Sequence, residues 1–261
     1  MPPAGPIPVA LSTASVWPES IAVAFELAAE LGYDGVEVMV WGDPASQNVV
    51  TLAKLAARHQ MPVLALHAPC LLITQRVWAA DPAVRLDLTV QAALELGAGV
   101  VVVHPPFRWQ RGYATGFAEQ ISALEAKSGV TIAVENMFPV RRGRLEVSSY
   151  APSPDPTDFG YSHYVLDLSH TATAQVDAMA MAQRMGSRLA HLHLADGSGA
   201  PRDEHLVPGR GSQPCADVCR GLVDRGFTGT AVLEVSTRRV RTRPERRAIL
   251  TEALLFARLH L

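Results

Sequence analysis

The sequence predicts a single-domain α/β chain folded as a (β/α)8 TIM barrel over residues 1–261, and three observations carry that prediction. Strand-like and helix-like segments alternate throughout, the arrangement that builds a parallel sheet with helical crossovers. Eight strand candidates fit within 261 residues, and about 250 residues is usual for eight βα units. Six short apolar runs also end on His, Asp or Glu: Val63–His67, Val100–His104, Val130–Glu135, Tyr164–Asp167, Leu189–His193 and Ala231–Glu234. Burying strands that repeatedly terminate in such groups is costly unless the groups converge on something that compensates them. All strand C-termini of a barrel open on one face, so the pattern predicts a metal site at its mouth.

Along the chain, strand Pro8–Leu11 leads to helix Ser20–Leu31, and Gly35–Val40 to Asn48–Arg58. Val63–His67 leads to Val84–Leu96, and Val100–His104 to Phe117–Lys127. After strand Thr131–Glu135 the regularity fails. Residues Asn136–Ser162 carry Arg141, Arg142, Arg144 and Ala151-Pro152-Ser153-Pro154-Asp155-Pro156, with no sustained helical period. The fifth βα crossover is therefore irregular, a long functional loop in place of most of its helix. Regular alternation resumes with Tyr164–Asp167 and helix Ala174–Met185, Leu189–Leu194 and Ala216–Asp224, then Thr230–Glu234 and Pro244–Leu259. Apolar residues recur at three- and four-residue spacing in these helices, as one face packed on a barrel requires. A doubly wound open sheet is the competing fold, but no G-x-G-x-x-G turn follows the first strand.

Bulk properties narrow the function. A 48% hydrophobic and 18% charged composition is globular. No apolar run reaches bilayer-spanning length, and the start Met1-Pro2-Pro3-Ala4-Gly5-Pro6 lacks the pattern of a signal peptide. Cys70, Cys215 and Cys219 are too few and oddly numbered for a disulfide framework. The expectation is a cytoplasmic enzyme with no membrane partner. A net charge of −2 makes nucleic acid a poor candidate partner.

Glu135, Asp167, His193 and Glu234 end four strands and form an O3N donor set. That set suits a divalent metal, Zn²⁺ or Mn²⁺ foremost, with Mg²⁺, Co²⁺ and Fe²⁺ also compatible. Carboxylates brought together there would repel one another without a cation between them. A second tier comprises His67, His104, His170, Asp203 and His205. Imidazoles beside shared carboxylates are what a second or third metal needs, with Glu135 the natural bridge, so one to three ions per chain are expected. The same histidines could instead bind substrate hydroxyls. His191 lies two positions before His193 on the same strand face, one layer deeper, and is expected in the core or behind the ligands.

Arginines cluster after strand C-termini: Arg108, Arg111, Arg141, Arg142, Arg144, Arg202, Arg210, Arg238, Arg239 and Arg241. Guanidinium groups pair well with phosphate and carboxylate, which suggests a small anionic, carbohydrate-like substrate. Arg108, Arg111, Arg210 and Trp109 are the substrate-binding candidates, with Trp41, Phe107 and Phe138 as possible pocket walls. Pro208-Gly209-Arg210-Gly211 permits a tight turn beside the metal.

These residues resemble the xylose isomerase-like TIM-barrel superfamily, which contains endonuclease IV and the sugar or sugar phosphate isomerases and epimerases. The resemblance runs from Gly32-Tyr33-Asp34-Gly35-Val36-Glu37 to Leu233-Glu234. Glu135, Asp167, His193 and Glu234 match the metal ligands shared by both branches. Leu66-His67-Ala68-Pro69, Val103-His104-Pro105, Glu135-Asn136, Asp167-x-x-His170, His193-x-x-Asp196 and Asp203-x-His205 resemble endonuclease IV, and all nine ligand types of its trinuclear zinc site have a counterpart. Other positions depart from that branch. Cys70 and Leu71 stand where its DNA-prising tyrosine and leucine would be. Many epimerases carry an arginine where this chain has Gly199.

The resemblance implies two activities. The first is a divalent-metal-dependent isomerase or epimerase of a sugar, sugar phosphate or related hydroxy-carbonyl compound, working through a metal-stabilised enediolate. Glu135 and Glu234 would be the acid/base pair, with His170 orienting substrate. The alternative is an endonuclease IV-like di- or trinuclear phosphoesterase. The missing DNA-engaging features favour the first.

Overall fold

The computed structural model describes residues 6–142 and 145–261; Arg144 lies outside them. The elements run β1 (Val9–Ser12), α1 (Ile21–Leu31), β2 (Gly35–Met39), α2 (Val49–His59), β3 (Val63–His67), α3 (Pro82–Leu96), β4 (Val100–Val103), α4 (Arg111–Ser128) and β5 (Thr131–Glu135). There follow β6 (Val140–Arg142), β7 (Leu145–Val147), β8 (His163–Asp167), α5 (Leu168–Ala174), α6 (Ala178–Met185), β9 (Leu189–Leu194), α7 (Cys215–Asp224), β10 (Thr230–Leu233) and α8 (Arg243–His260). Eight parallel strands close in the order β1-β10-β9-β8-β5-β4-β3-β2. The (β/α)8 barrel expected from the alternation is the fold observed.

The fifth crossover is irregular, as its sequence implied, and its long loop carries an antiparallel hairpin, β6 paired with β7. The sixth holds two short helices where the periodicity suggested one. Every residue of α5 is buried, so its sequence Leu-Ser-His-Thr-Ala-Thr-Ala shows no one-sided pattern to read. In the fourth crossover, α4 begins at Arg111, six residues before the sequence signal at Phe117.

Most of the apolar core fills the space between strands and helices. A separate small cluster of Val102, Ala133 and Val165 lies inside the barrel, on the strand face shared with Glu135 and Asp167. Above that apolar floor the interior turns polar. Register sets the level of the polar groups: Asp167 of β8 pairs with His193 of β9, and Val165 with His191. No helix among the described residues is long and apolar enough to cross a membrane.

Candidate metal centre

His193 lies at the middle of the polar layer and is fully buried. Its Nδ1 faces Glu135 Oε1 at 2.9 Å, Glu234 Oε2 at 3.1 Å and Asp167 Oδ2 at 3.5 Å. One ring nitrogen cannot donate to three carboxylate oxygens. Asp167 divides its two oxygens between tasks. Oδ1 caps α5 by accepting from the His170 backbone N–H at 2.7 Å, while the buried Oδ2 has no hydrogen-bond partner among the described residues. Asn136 fixes Asp167 from behind, exchanging backbone–side-chain hydrogen bonds of 2.7 and 3.0 Å. Three carboxylates and one imidazole thus converge as the O3N set that the strand ends implied, and this donor set fits a hard or borderline divalent cation.

The second tier surrounds the quartet. His67 Nε2 and His104 Nε2 approach Glu135 Oε2 at 3.3 and 3.0 Å. On the other side, Asp203 Oδ2 lies 2.6 Å from His205 Nε2 and 3.3 Å from His170 Nε2. The two rings are held from behind: His170 Nδ1 donates to the Asn136 carbonyl and His205 Nδ1 to the Glu234 carbonyl, each at 2.8 Å. Ser169 positions Asp203, its hydroxyl donating to Oδ1 at 2.6 Å. All nine residues expected from the sequence therefore meet at the mouth. Three overlapping donor groups result: His67 with His104 and Glu135, Asp167 with His170 and His205, and Glu135 with Asp167 and His193.

Electrostatics follow from this crowding. Burial opposes charge on His193 and His170, but the surrounding carboxylates raise both well above the usual histidine range. His205, half-buried, is pushed up to about 10 by Asp203. Burial alone would raise Glu135, yet charge on His193 and His170 and hydrogen bonds from His104 and His193 hold it well below the carboxylate range. Burial wins at Glu234, whose carboxyl is raised. The centre is a place that attracts positive charge, with its two glutamates driven apart.

The cavity above these groups has a volume of about 270 Å³. Its polar floor is made by His67, His104, Glu135, His170, Asp203, His205 and Glu234, and its walls include Trp17, Met39, Trp41 and Leu71. Arg238 lines it too, its guanidinium 4.5 Å above the Trp17 ring.

The arginines and the tryptophan assigned to substrate from the sequence lie elsewhere. Gly209 and Gly211 both donate backbone N–H groups to Asp196 Oδ2 at 2.9 Å, wrapping the loop around that carboxylate. A side chain at position 211 would meet Asp196 Oδ1 at 2.3 Å, which explains the glycine there. Arg210, between the two, is turned outward onto Glu252, Nε to Oε1 at 2.8 Å. Trp109 stacks on the outer side of Phe107 with ring centroids 4.5 Å apart and is 56% exposed. Arg111 and Trp109 line a surface depression beside Asp81 and Pro82; Arg111 is the first residue of the early-starting α4, and Trp109 lies two residues before it, held by its stacking on Phe107. Arg108 is exposed and lines none of these cavities.

Glu37 is the residue that sequence reasoning passed over. It is fully buried on β2, with Oε2 2.8 Å from His191 Nε2 and Oε1 3.1 Å from His193 Nε2. Its signal was a lone carboxylate inside the apolar run Gly-Val-Glu-Val-Met. His191 lies behind the ligands, as its position two residues before His193 implied.

A family model described as xylose isomerase-like TIM barrel matches residues 25–259. An uncharacterized protein of Mycobacterium tuberculosis (strain ATCC 25618 / H37Rv) is 56% identical over 274 residues, covering 98% of each chain. Fructoselysine 3-epimerase of Shigella flexneri is 26% identical over 243 residues, spanning 82% of this chain and 84% of that protein. The solved structure of D-psicose 3-epimerase in the presence of D-fructose matches with a TM-score of 0.68 at 17% identity, covering 98% of this chain and 99% of the other. That last likeness is one of fold.

Proposed function

The chain belongs to the xylose isomerase-like TIM-barrel family, and from that premise we propose that it is a divalent-metal-dependent sugar isomerase or epimerase. The observation that carries the proposal is the focus of Glu135, Asp167 and Glu234 oxygens on His193 Nδ1. Sugar epimerases among the relatives support it.

Glu135, Asp167, His193 and Glu234 would hold the cation, with Zn²⁺ or Mn²⁺ the best suited. Bound there, it would supply Lewis-acid charge to the carbonyl and adjacent hydroxyl oxygens of a hydroxy-ketone. The remaining work falls to side chains. Glu135, held ionised, is the base that takes the proton from the carbon next to the carbonyl, the electron pair passing to the carbonyl oxygen. Glu234 is the acid that returns a proton to that carbon. His170, fixed by the Asn136 carbonyl, orients a substrate hydroxyl. Trp17, Trp41 and Leu71 limit water around the reacting carbon. Arg238 replaces Arg108, Arg111 and Arg210 as the group proposed to hold an anionic end of the substrate.

A second reading, an endonuclease IV-like phosphoesterase, draws on one specific observation: the His67/His104/Glu135 and Asp167/His170/His205 groups are assembled as well. Elemental analysis of metal per chain, paired with a ketose panel, separates the two. One tightly held ion with interconversion of ketoses supports the proposal. Two or three ions with phosphodiester cleavage and no ketose turnover would replace it with the second reading.

A further inference from the structure

We propose that Glu37 is a positioning residue that sets the tautomer of His193 and thereby aims its Nδ1 lone pair at the other three donors, an assignment that rests on the metal reading above. The argument begins with what a carboxylate can do. Ionised, it only accepts hydrogen bonds, so each ring nitrogen facing it must carry a proton. Glu37 faces Nε2 of His193: Oε2 accepts from it at 3.3 Å, while Oε1 lies 3.1 Å from the same nitrogen without a hydrogen-bond partner among the described residues. A neutral His193 protonated at Nε2 has its lone pair on Nδ1, the atom that Glu135, Asp167 and Glu234 surround. The other tautomer would press a lone pair against Glu37 and present an N–H where a metal ligand is needed.

His191 holds Glu37 in turn. Its Nε2 lies 2.8 Å from Oε2, while its buried Nδ1 has no hydrogen-bond partner among the described residues. The bond to Glu37 is therefore the polar anchor of that ring among the described residues. The contact reaches through the barrel interior, since β1 and β10 separate β2 from β9 in the closed sheet. Glu37, His191 and His193 are all fully buried, so water cannot substitute for any partner. These three also converge closely enough to resemble a metal site of their own. Ring chemistry argues against that use. A neutral imidazole has one lone pair, and His193 cannot give it to two ions at once.

Glu37→Gln tests the assignment. The amide keeps one acceptor but replaces the other with an NH2 group, which faces an N–H unless His193 changes tautomer. Partners of this kind are typically worth about 10- to 100-fold in metal affinity. Titrated with Co²⁺, Glu37→Gln should bind about 10- to 100-fold more weakly than wild type, and its visible absorption spectrum should change. Glu37→Asp, which restores the carboxylate, should recover part of that loss. In Zn²⁺-loaded wild type, long-range ¹H–¹⁵N spectra of the histidine rings should place the His193 proton on Nε2, a readout that needs no variant. Unchanged Co²⁺ affinity and spectrum in Glu37→Gln, or a ring proton on Nδ1 in wild type, overturns the assignment alone. A wild-type chain that binds no Co²⁺ overturns the metal reading and the assignment with it.

Discussion

The Nε2 atoms of His67 and His104 lie 3.2 Å apart, and both face the same carboxylate oxygen of Glu135. His67 Nδ1 donates to the Ala68 carbonyl at 3.0 Å, so a neutral His67 turns its lone pair toward that meeting point. An electron-rich corner beside the base suits a substrate hydroxyl. The double variant His67→Ala/His104→Ala is expected to keep one tightly bound metal while losing about 100-fold in kcat/KM, the scale of a general acid–base contribution. Metal content and ketose kinetics check it. Loss of one metal equivalent would instead mark the corner as a second ion site.

Arg238 is the arginine that lines the metal cavity, stacked on Trp17. Arg238→Glu should raise KM for a ketose phosphate about 10-fold or more, the order of one lost charge-assisted contact. KM for the corresponding unphosphorylated ketose should barely move. Equal effects on both substrates would remove the anion-binding role.

Arg85 is buried, and its Nη1 donates to the carbonyls of Gln75 (2.6 Å), Ala79 (2.9 Å) and Ala80 (3.1 Å). It ties down the loop that carries Leu71 to the cavity wall. Arg85→Ala removes the charged donor from these half-buried to exposed carbonyls, which water can then reach, and is expected to cost about 1–3 kcal/mol, the scale of hydrogen bonding to a charged group. Denaturant melts measure this. Metal affinity should be unchanged, since Arg85 touches none of the nine donors.

Asp34 fixes the start of the barrel, its Oδ2 accepting from the Val9 N–H and from Arg258, each at 2.7 Å. Partial burial raises its carboxyl, but those hydrogen bonds and the Arg258 charge prevail and hold it below 3.8. A carboxylate depressed on folding contributes stability above its unfolded pKa and loses it as pH falls through the folded one. Asp34→Asn should therefore be less stable than wild type at pH 7, with the difference closing as pH drops below 3.8. The side chain is 42% exposed, so solvent screening limits the effect to less than about 1 kcal/mol. A gap that persists in acid would assign the contribution to shape rather than charge.

The barrel and six of the nine mouth residues were legible because apolar, β-branched runs mark the strands and six of those runs end on His67, His104, Glu135, Asp167, His193 and Glu234; His170, Asp203 and His205 were read from their places just after such strands and from the family resemblance. What was not legible depended on direction rather than identity. Glu37 lies inside a strand instead of at its end, and only barrel closure shows that it faces His191 and His193. Arg108, Arg111 and Arg210 follow strand ends as ligands do. Whether such a loop turns inward is decided by contacts far along the chain, such as the grip of Gly209 and Gly211 on Asp196. Helix α5 escaped because total burial erases the one-sided pattern that marks a helix. Its N-cap is nonetheless Asp167, so the same carboxylate starts the helix and serves the metal centre.

The central claim is that Glu135 and Glu234 move a proton on a carbon beside a carbonyl. It is tested most directly by incubating the Mn²⁺-loaded protein with a panel of ketoses and ketose phosphates in D2O and reading deuterium at that carbon. The account predicts deuterium in the product and in recovered substrate for wild type, and none above background for Glu135→Gln or Glu234→Gln. Product formed without deuterium, or exchange retained in both variants, would contradict it.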